Sequence, residues 1–433
     1  MARPRLCYNS SGFSSVPLGN DRFAFQSQKQ IFLKPMTDSE YDIAIIGAGP
    51  AGSAAAYFLA RGGRRVALLD KATFPRDKTC GDGLTPRAVK ALAELSALDK
   101  VAGRAFRCTT ITLRQSDSVE FQLGLSQLAG LPDQILVLPR FQLDDLLRQH
   151  AVEAGAHFIA EAKVNHLTRP AEDTVLVHVE GREPLACQLA IVATGANIKL
   201  LSEAGLLRGT PPVSLAARCY FENVEGLDDS VMLFFDGVEL PGYGWVFPTS
   251  KTSANIGYGV FFASPTPPAT RLRQIIQHHP YLQRILKNAR QVGPIKGYPL
   301  RTDFSPAHSG NEWLLVVGEA AGLVNPITGE GIDYALESGQ LAAAAILAGW
   351  RAGGPTAAIA KNYRAALSKK FQYQLALNHL AQRLYFREGV LPRLLQRAQR
   401  NSALRQTIVD ACFGSADPMV MLSPRTLWSV FGP

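Results

Sequence analysis

The chain has 433 residues, 47% of them apolar, enough for a sizeable core and for two or three domains or one nucleotide-binding domain with insertions. Its net charge of +9, of which residues 1–35 supply +4 (Arg3, Arg5, Arg22, Lys29 and Lys34 against Asp21), suits nucleic acid, anionic lipid or phosphorylated ligands without choosing among them. None of the six cysteines forms a Cys-x-x-Cys pair, which argues against a zinc site or iron–sulfur cluster and fits a reducing compartment, and no apolar run reaches the ~18 residues of a membrane-crossing helix.

Residues 1–39 contain no continuous apolar stretch of a secretory leader. We read them as an extension, disordered or upstream of the true start, because Met36 opens MTDSEYDIAIIGAG, a natural beginning for a first strand. YDIAIIGAG (41–49) is a strand ending in glycines, PAGSAAAYFLARGG (50–63) an Ala-rich helix stopped at Gly62-Gly63, and RRVALLD (64–70) a second strand, together a βαβ unit. RFQLDDLLRQHAVEAG (140–155) is an amphipathic helix ended by Gly155, and HFIAEAKVNHLTR, TVLVHVEG and PLACQLAIVATG read as strands. From about 205 to 300 the pattern turns irregular and aromatic, with one helix near 269–288, as in a separate sheet-based domain. WLLVVGEAAG (313–322) returns to an apolar strand, a glycine and a loop into a helix; QLAAAAILAGW (340–350) is a buried helix; from about 355 the chain is helical and basic.

The glycines Gly47, Gly49 and Gly52 form G-x-G-x-x-G, with Ala48 and Pro50 between them, directly after a strand and opening a helix, and Asp70 closes the next strand. In that setting the pattern is a dinucleotide site: Gly47 permits the tight turn, Gly49 lets backbone approach a pyrophosphate, Gly52 lets helix and strand pack closely, and Asp70 accepts from a ribose. One such unit does not separate NAD from FAD. The far-downstream VVGEAAGLVNPITGEGI (316–332) supplies a second glycine loop with Gly318, Glu319, Gly329 and Gly331, and a ligand long enough to reach both is FAD.

The chain resembles the geranylgeranyl reductase family of flavoproteins, within the FAD-binding group that includes p-hydroxybenzoate hydroxylase. The resemblance rests on GAGPAG (47–52), CGDGLTP (80–86), Arg140 and its helix, ATGA (193–196), PGYGWVFP (241–248) and GEAAGLVNPITGEGI (318–332), over roughly residues 40–350. It implies an α/β fold, α+β overall: a discontinuous Rossmann-like FAD-binding domain (40–204 and 295–352), an inserted antiparallel-sheet substrate domain (205–294) and a C-terminal helical region (353–433). It further implies that Arg140 contacts FAD, that Glu319 stands where the family has Asp and binds the ribityl or phosphate region, and that the backbone of Val164 meets adenine. PGYGWVFP then lines the far side of the flavin site and packs on an isoprenoid chain, although Trp and Tyr are often plain core.

The implied reaction is reduction of a carbon–carbon double bond of a prenyl chain by hydride from reduced flavin. An isolated alkene carries no carbonyl to polarise it, so the site needs a strong proton donor or a means of stabilising positive charge. Tyr243 and Trp245 could offer π faces, and Cys80 and Asp82 are candidates for proton delivery; Cys80 is equally a small buried hydrophobe and Asp82 a turn residue. The electron donor is NAD(P)H or reduced ferredoxin. The acceptor is a prenylated small molecule or lipid: a geranylgeranyl diphosphate, chlorophyll, menaquinone side chain or archaeal-type lipid. The basic, Leu- and aromatic-rich segment 361–400 is either a helical cap or a surface touching lipid. A cytoplasmic protein, peripheral on a membrane if it meets one and without nucleic acid as partner, is expected. Competing readings are a monooxygenase or halogenase of the same fold, a quinone-linked electron-transfer flavoprotein dehydrogenase, disfavoured by the missing cysteine cluster, and a non-catalytic flavin-bearing lipid binder.

Overall fold

The computed structural model describes residues 40–432 apart from 127 and 263, so the reading of residues 1–39 lies outside the described residues. Four short strands, Ile43–Ile46, Val66–Leu69, Leu189–Val192 and Leu314–Val316, are apolar and buried at every position. A run with no polar side needs cover on both faces, which a parallel sheet between helices provides. They form the centre of a six-stranded sheet in the order Gly310–Asn311, Leu314–Val316, Leu189–Val192, Ile43–Ile46, Val66–Leu69, His157–Ile159, parallel except at the first pair. Helices Pro50–Arg61 and Ile332–Arg351 pack closely because small residues meet: a Cβ on Gly339 would lie 2.4 Å from the Ala51 carbonyl oxygen.

HFIAEAKVNHLTR is two strands, not one. His157–Ile159 closes the parallel sheet, the chain turns at Glu161 with φ 54°, and Val164–Ala171 joins a separate three-stranded antiparallel sheet with Thr174–Val179 and Leu185–Cys187. The helix expected near 269–288 is likewise two, Pro268–His278 and Pro280–Ile285, since Pro280 has no amide hydrogen to continue the first.

The second large sheet has seven strands in the order Arg290–Leu300, Ser214–Glu222, Ser253–Val260, Gly242–Pro248, Ser230–Phe234, Thr110–Ser116, Val119–Gly124. It is therefore not confined to 205–294: the hairpin 110–124 comes from within the segment assigned to the nucleotide domain. Ser230–Phe234 pairs with Thr110–Ser116 in parallel, the one parallel pairing in this sheet. Ile111, Leu113, Phe121 and Leu123 of this hairpin are all buried, in a core shared with the C-terminal helices. PGYGWVFP, too rich in Gly and Pro to read as a strand, is the sheet's central strand. Its alternation explains the composition. Tyr243, Trp245 and Phe247 face one way, while Gly244 on the other face makes room for Phe234, whose ring would lie 1.9 Å from a Cβ there.

The C-terminal helices divide their work. Thr356–Leu367 covers the nucleotide side, with the buried Tyr363 hydroxyl donating to the Val316 carbonyl at 2.8 Å. Tyr373–Tyr385, Leu391–Arg400, Ser402–Phe413 and Pro424–Phe431 cover the 110–124 hairpin with a shared core that includes Leu123, Leu394, Leu404 and Ile408. Among the described residues, no helix is long and apolar enough to cross a membrane.

Candidate active site

A cavity of 620 Å³ runs from the glycine loop of the parallel sheet to the aromatic face of the seven-stranded one. Its polar end is bounded by Gly47, Gly49, Pro50, Asp70 and Val164, its middle by Cys80, Asp82, Arg140, Glu319, Gly329 and Gly331, and its far end by Tyr243 and Trp245. Thirteen of the sixteen residues singled out from the sequence thus border one space. Ala48, Gly52 and Gly318 do not; they are buried behind it and hold its wall. A Cβ on Gly52 would lie 1.9 Å from the Gly47 carbonyl oxygen, and one on Gly318 would lie 2.9 Å from the Ala51 Cβ.

Gly47 has φ 108° and its missing Cβ would strike the Ala193 carbonyl oxygen at 2.4 Å, so the chain itself demands glycine there. Gly49 differs: the nearest atom to its absent side chain is an Arg76 nitrogen at 3.7 Å. The space it leaves is filled by nothing in the protein and opens at a helix N-terminus, as a pyrophosphate requires. Asp70 accepts from the amides of Ala48 and Ala72, each at 3.0 Å, and pairs with Arg76 at 3.3 Å. Arg76 also reaches Asp144 at 3.0 Å. Arg140, the first residue of helix Arg140–Glu153, is clamped to the same Asp144 by two bonds of 2.6 and 2.9 Å. The sequence singled out Asp70 and Arg140 but missed Arg76 and Asp144, the pair that ties them together.

The C-G-D-G loop is held by a buried network. Asp82 is completely buried, with φ 69°, and its carboxylate accepts from the Tyr220 hydroxyl at 2.6 Å, the Asn255 amide at 2.7 Å and the Arg140 backbone N–H at 3.2 Å. Burial raises its pKa to about 6 against the pull of those donors. Asn255 also donates to the Cys80 carbonyl at 2.8 Å and accepts from the Trp245 indole N–H at 3.0 Å. Trp245 packs against Gly257, where a Cβ would be 2.0 Å from its ring, and Phe247 packs on Gly81 and Gly83 at 3.2 and 3.1 Å from their absent Cβ atoms. The aromatic strand and the C-G-D-G loop are therefore one packed unit. Asn255 and Tyr220 carried no sequence signal, since an isolated Asn or Tyr in a strand has none.

On the other wall, Glu319 has a buried carboxylate oxygen, Oε1, without a partner. An orphan acceptor bordering the cavity asks for a donor such as a ribityl hydroxyl. Gly329, at φ 69°, sits beneath the Tyr243 hydroxyl, which donates to the Thr328 carbonyl. The apolar end is closed by residues the sequence did not single out: Ile111, Leu113, Val231 and Leu233 from the seven-stranded sheet, and Ile408, Val409, Cys412 and Phe413 from helix Ser402–Phe413. From about 355 the sequence reads as helical, but only the tertiary packing makes this helix a wall of the cavity.

The free cradle at Gly49, the orphan Oε1 of Glu319 and a cavity spanning both glycine loops fit FAD. Fold and site together define an FAD-binding flavoprotein. A family model described as FAD binding domain matches residues 40–363. The menaquinone reductase of Mycobacterium tuberculosis (strain ATCC 25618 / H37Rv) is 36% identical over 323 residues, covering 71% of this chain and 76% of the relative. Digeranylgeranylglycerophospholipid reductase 2 of Methanothermobacter thermautotrophicus is 31% identical over 325 residues, covering 72% and 80%. Among solved structures, a geranylgeranyl bacteriochlorophyll reductase-like protein from Thermoplasma acidophilum superposes with TM-score 0.71 at 19% identity over 91% of this chain and 97% of that one. Halogenase PltM in complex with phloroglucinol and FAD gives TM-score 0.68 at 17% identity over 88% and 85%, a likeness of fold. The chain belongs to the FAD-binding domain family, in its geranylgeranyl reductase branch.

Proposed function

We propose that the protein is an FAD-dependent reductase that saturates carbon–carbon double bonds of a prenyl chain. The observation that carries this is the wall opposite the flavin cradle: Ile111, Leu113, Val231, Leu233, Ile408 and Phe413 offer an apolar trough with no charged group among them. Such a trough suits an isoprenoid, each buried methylene contributing ~0.8 kcal/mol. The names of the mycobacterial and archaeal relatives support the same substrate class. Bound reduced flavin supplies two electrons and one hydrogen to the alkene.

The chain's own residues bind, orient and exclude water. Gly47, Gly49, Arg76 and Asp70 hold the adenosine and pyrophosphate end; Val164 borders the adenine end; Arg140, Glu319, Gly329 and Gly331 hold the ribityl and ring end. Asp82, with every neighbour a donor to it, positions the C-G-D-G loop rather than moving a proton. Trp245, fixed by Asn255, and Tyr243 present ring faces to a developing positive charge. The domain division follows the flavin: a nucleotide domain, a substrate sheet that includes 110–124, and a helical cap that completes the trough. NAD(P)H or a reduced ferredoxin supplies the electrons. The exposed Tyr373, Leu380, Trp428 and Phe431, on helices that carry Arg383 and Arg425, together with Arg393, Arg397 and Arg400 of the helix Leu391–Arg400, support peripheral contact with an anionic lipid surface.

The test is anaerobic. Purified protein is reduced with dithionite or NADPH and given geranylgeranyl diphosphate or a menaquinone. Flavin absorbance that returns as the product gains two hydrogens per bond establishes the reductase. Flavin that stays reduced with every prenyl compound but reoxidises in air with an oxygenated or halogenated product overturns it in favour of the monooxygenase or halogenase reading.

A further inference from the structure

Reduction of an isolated alkene needs a proton as well as electrons, and most acids in the cavity are engaged. The Asp82 carboxylate is held by three donors. The Tyr243 hydroxyl is committed to the Thr328 carbonyl, and burial pushes its pKa far above the ordinary phenol range. Burial also pushes the Cys412 thiol up to about 12. Glu330 is different. It lies between Gly329 and Gly331 and borders the cavity, close enough to Tyr243 and Cys412 for its charge to act on both. Among the described residues its carboxyl has no hydrogen-bond partner; its backbone amide donates to the Thr328 hydroxyl and its carbonyl accepts from the Asn325 amide.

We propose that Glu330 is the general acid of the reaction, giving its carboxyl proton to one carbon of the prenyl double bond. This rests on the prenyl reductase reading. The π bond breaks and two C–H bonds form: one carbon takes a hydrogen with both electrons from reduced flavin, the other takes the Glu330 proton. The alkene is reduced, the flavin is oxidised by two electrons, and the Glu330 carboxylate regains its proton from water.

The surroundings keep Glu330 protonated. Burial is the first cause, and the neighbouring Asp333 carboxylate adds to it. The nearest cation, Arg87 from helix Pro86–Glu94, opposes them weakly, because its guanidinium is taken by Glu337 at 2.8 and 2.7 Å and stands 3.7 Å from Asp333. Lys370 also goes to Glu337, at 3.0 Å. The remaining groups facing Glu330, Tyr243, Tyr334 and Cys412, are neutral at pH 7 and carry no charge to ionise it. Between two glycines the carboxyl meets little side-chain bulk from its own loop. The carboxylate left after transfer is the counter-charge that a cationic transition state calls for.

The experiment uses flavin-loaded wild type and Glu330→Gln. We expect equal flavin spectra and equal reduction by dithionite. In single-turnover reoxidation by geranylgeranyl diphosphate the variant should be slower by ~100-fold or more. The wild-type rate should fall as pH rises through the pKa of the acid, and the variant should lack that limb. Infrared spectra of the flavin-free protein give a reading independent of activity: a carboxylic-acid carbonyl band persisting at neutral pH in wild type and absent from Glu330→Gln. If the variant loses flavin, wild type alone decides, because the band and the high-pH limb must titrate together. A variant that turns over like wild type, or an ionised Glu330 at neutral pH, overturns the proposal while leaving the reductase reading intact. Wild type that reduces no prenyl acceptor overturns both.

Discussion

The side-chain amide of Asn255 donates to the Asp82 carboxylate at 2.7 Å, joining the seven-stranded sheet to the C-G-D-G loop. The same side chain serves Cys80 and Trp245, so three groups depend on one amide. Asn255→Leu should leave a buried carboxylate, a carbonyl and an indole N–H short of partners. Each such loss costs about 1–3 kcal/mol. We expect a fall of several kcal/mol in unfolding free energy by denaturant titration, and weaker FAD binding, because the C-G-D-G loop loses its anchor.

Asp82 also sets a pH dependence. Its folded pKa of about 6 lies above the ordinary value of 3.8, chiefly through burial. The folded state therefore holds this proton more tightly than the unfolded one, and stability is greatest below the unfolded pKa. It declines as pH rises from about 4 to about 6 and then levels, a loss on the order of 3 kcal/mol from this group alone. Asp82→Asn should flatten that part of the stability-versus-pH curve, measured by denaturant midpoints from pH 4 to 7. An unchanged slope refutes the assignment.

Gly257 makes room for the Trp245 ring and for the Ala217 carbonyl. An alanine Cβ there would lie 2.0 Å from the indole ring, and a ring locked into a central strand has nowhere to go. Gly257→Ala should destabilise the protein by about 1–3 kcal/mol. The same Cβ would lie 2.6 Å from the Ala217 carbonyl oxygen, so a Trp245→Leu background should relieve the ring's share of the cost and leave the backbone's. If the two changes are additive in a double-mutant cycle, the clash is not the cause.

Val409 tests the trough without touching the flavin cradle. It borders the cavity from helix Ser402–Phe413, opposite the sheet. Val409→Trp should fill the trough, lowering kcat/KM for a geranylgeranyl acceptor tenfold or more while leaving the flavin spectrum and dithionite reduction unchanged. A shorter prenyl acceptor should suffer less. Equal losses for both chain lengths would mean the chain lies elsewhere.

Arg76 joins two carboxylates, Asp70 and Asp144, across the adenosine end of the cavity. Arg76→Ala leaves Asp70 and Asp144 with less positive charge to balance them. FAD affinity, followed by fluorescence quenching, should fall about tenfold or more. Arg76→Lys should recover only part, since a lysine lacks the planar fork that serves two acceptors at once.

What the sequence determined by itself were the features written in consecutive residues: the βαβ unit with its glycine loop, Asp70 at the strand end, the second glycine loop of 316–332, and the helix opened by Arg140. Backbone conformation and close approach are local, so a glycine reports them wherever it stands. Tertiary structure decided the partnerships. It drew the hairpin 110–124 into the seven-stranded sheet, made PGYGWVFP its central strand with Gly244 against Phe234, and gathered Asn255, Tyr220 and Arg140 around Asp82. It also turned a C-terminal amphipathic helix into the wall of a cavity that begins more than 350 residues earlier at Gly47. The reason is physical: apolar periodicity says that a face is buried, while only packing of the whole chain says against what, and a buried acid acquires its pKa from neighbours that no local pattern names.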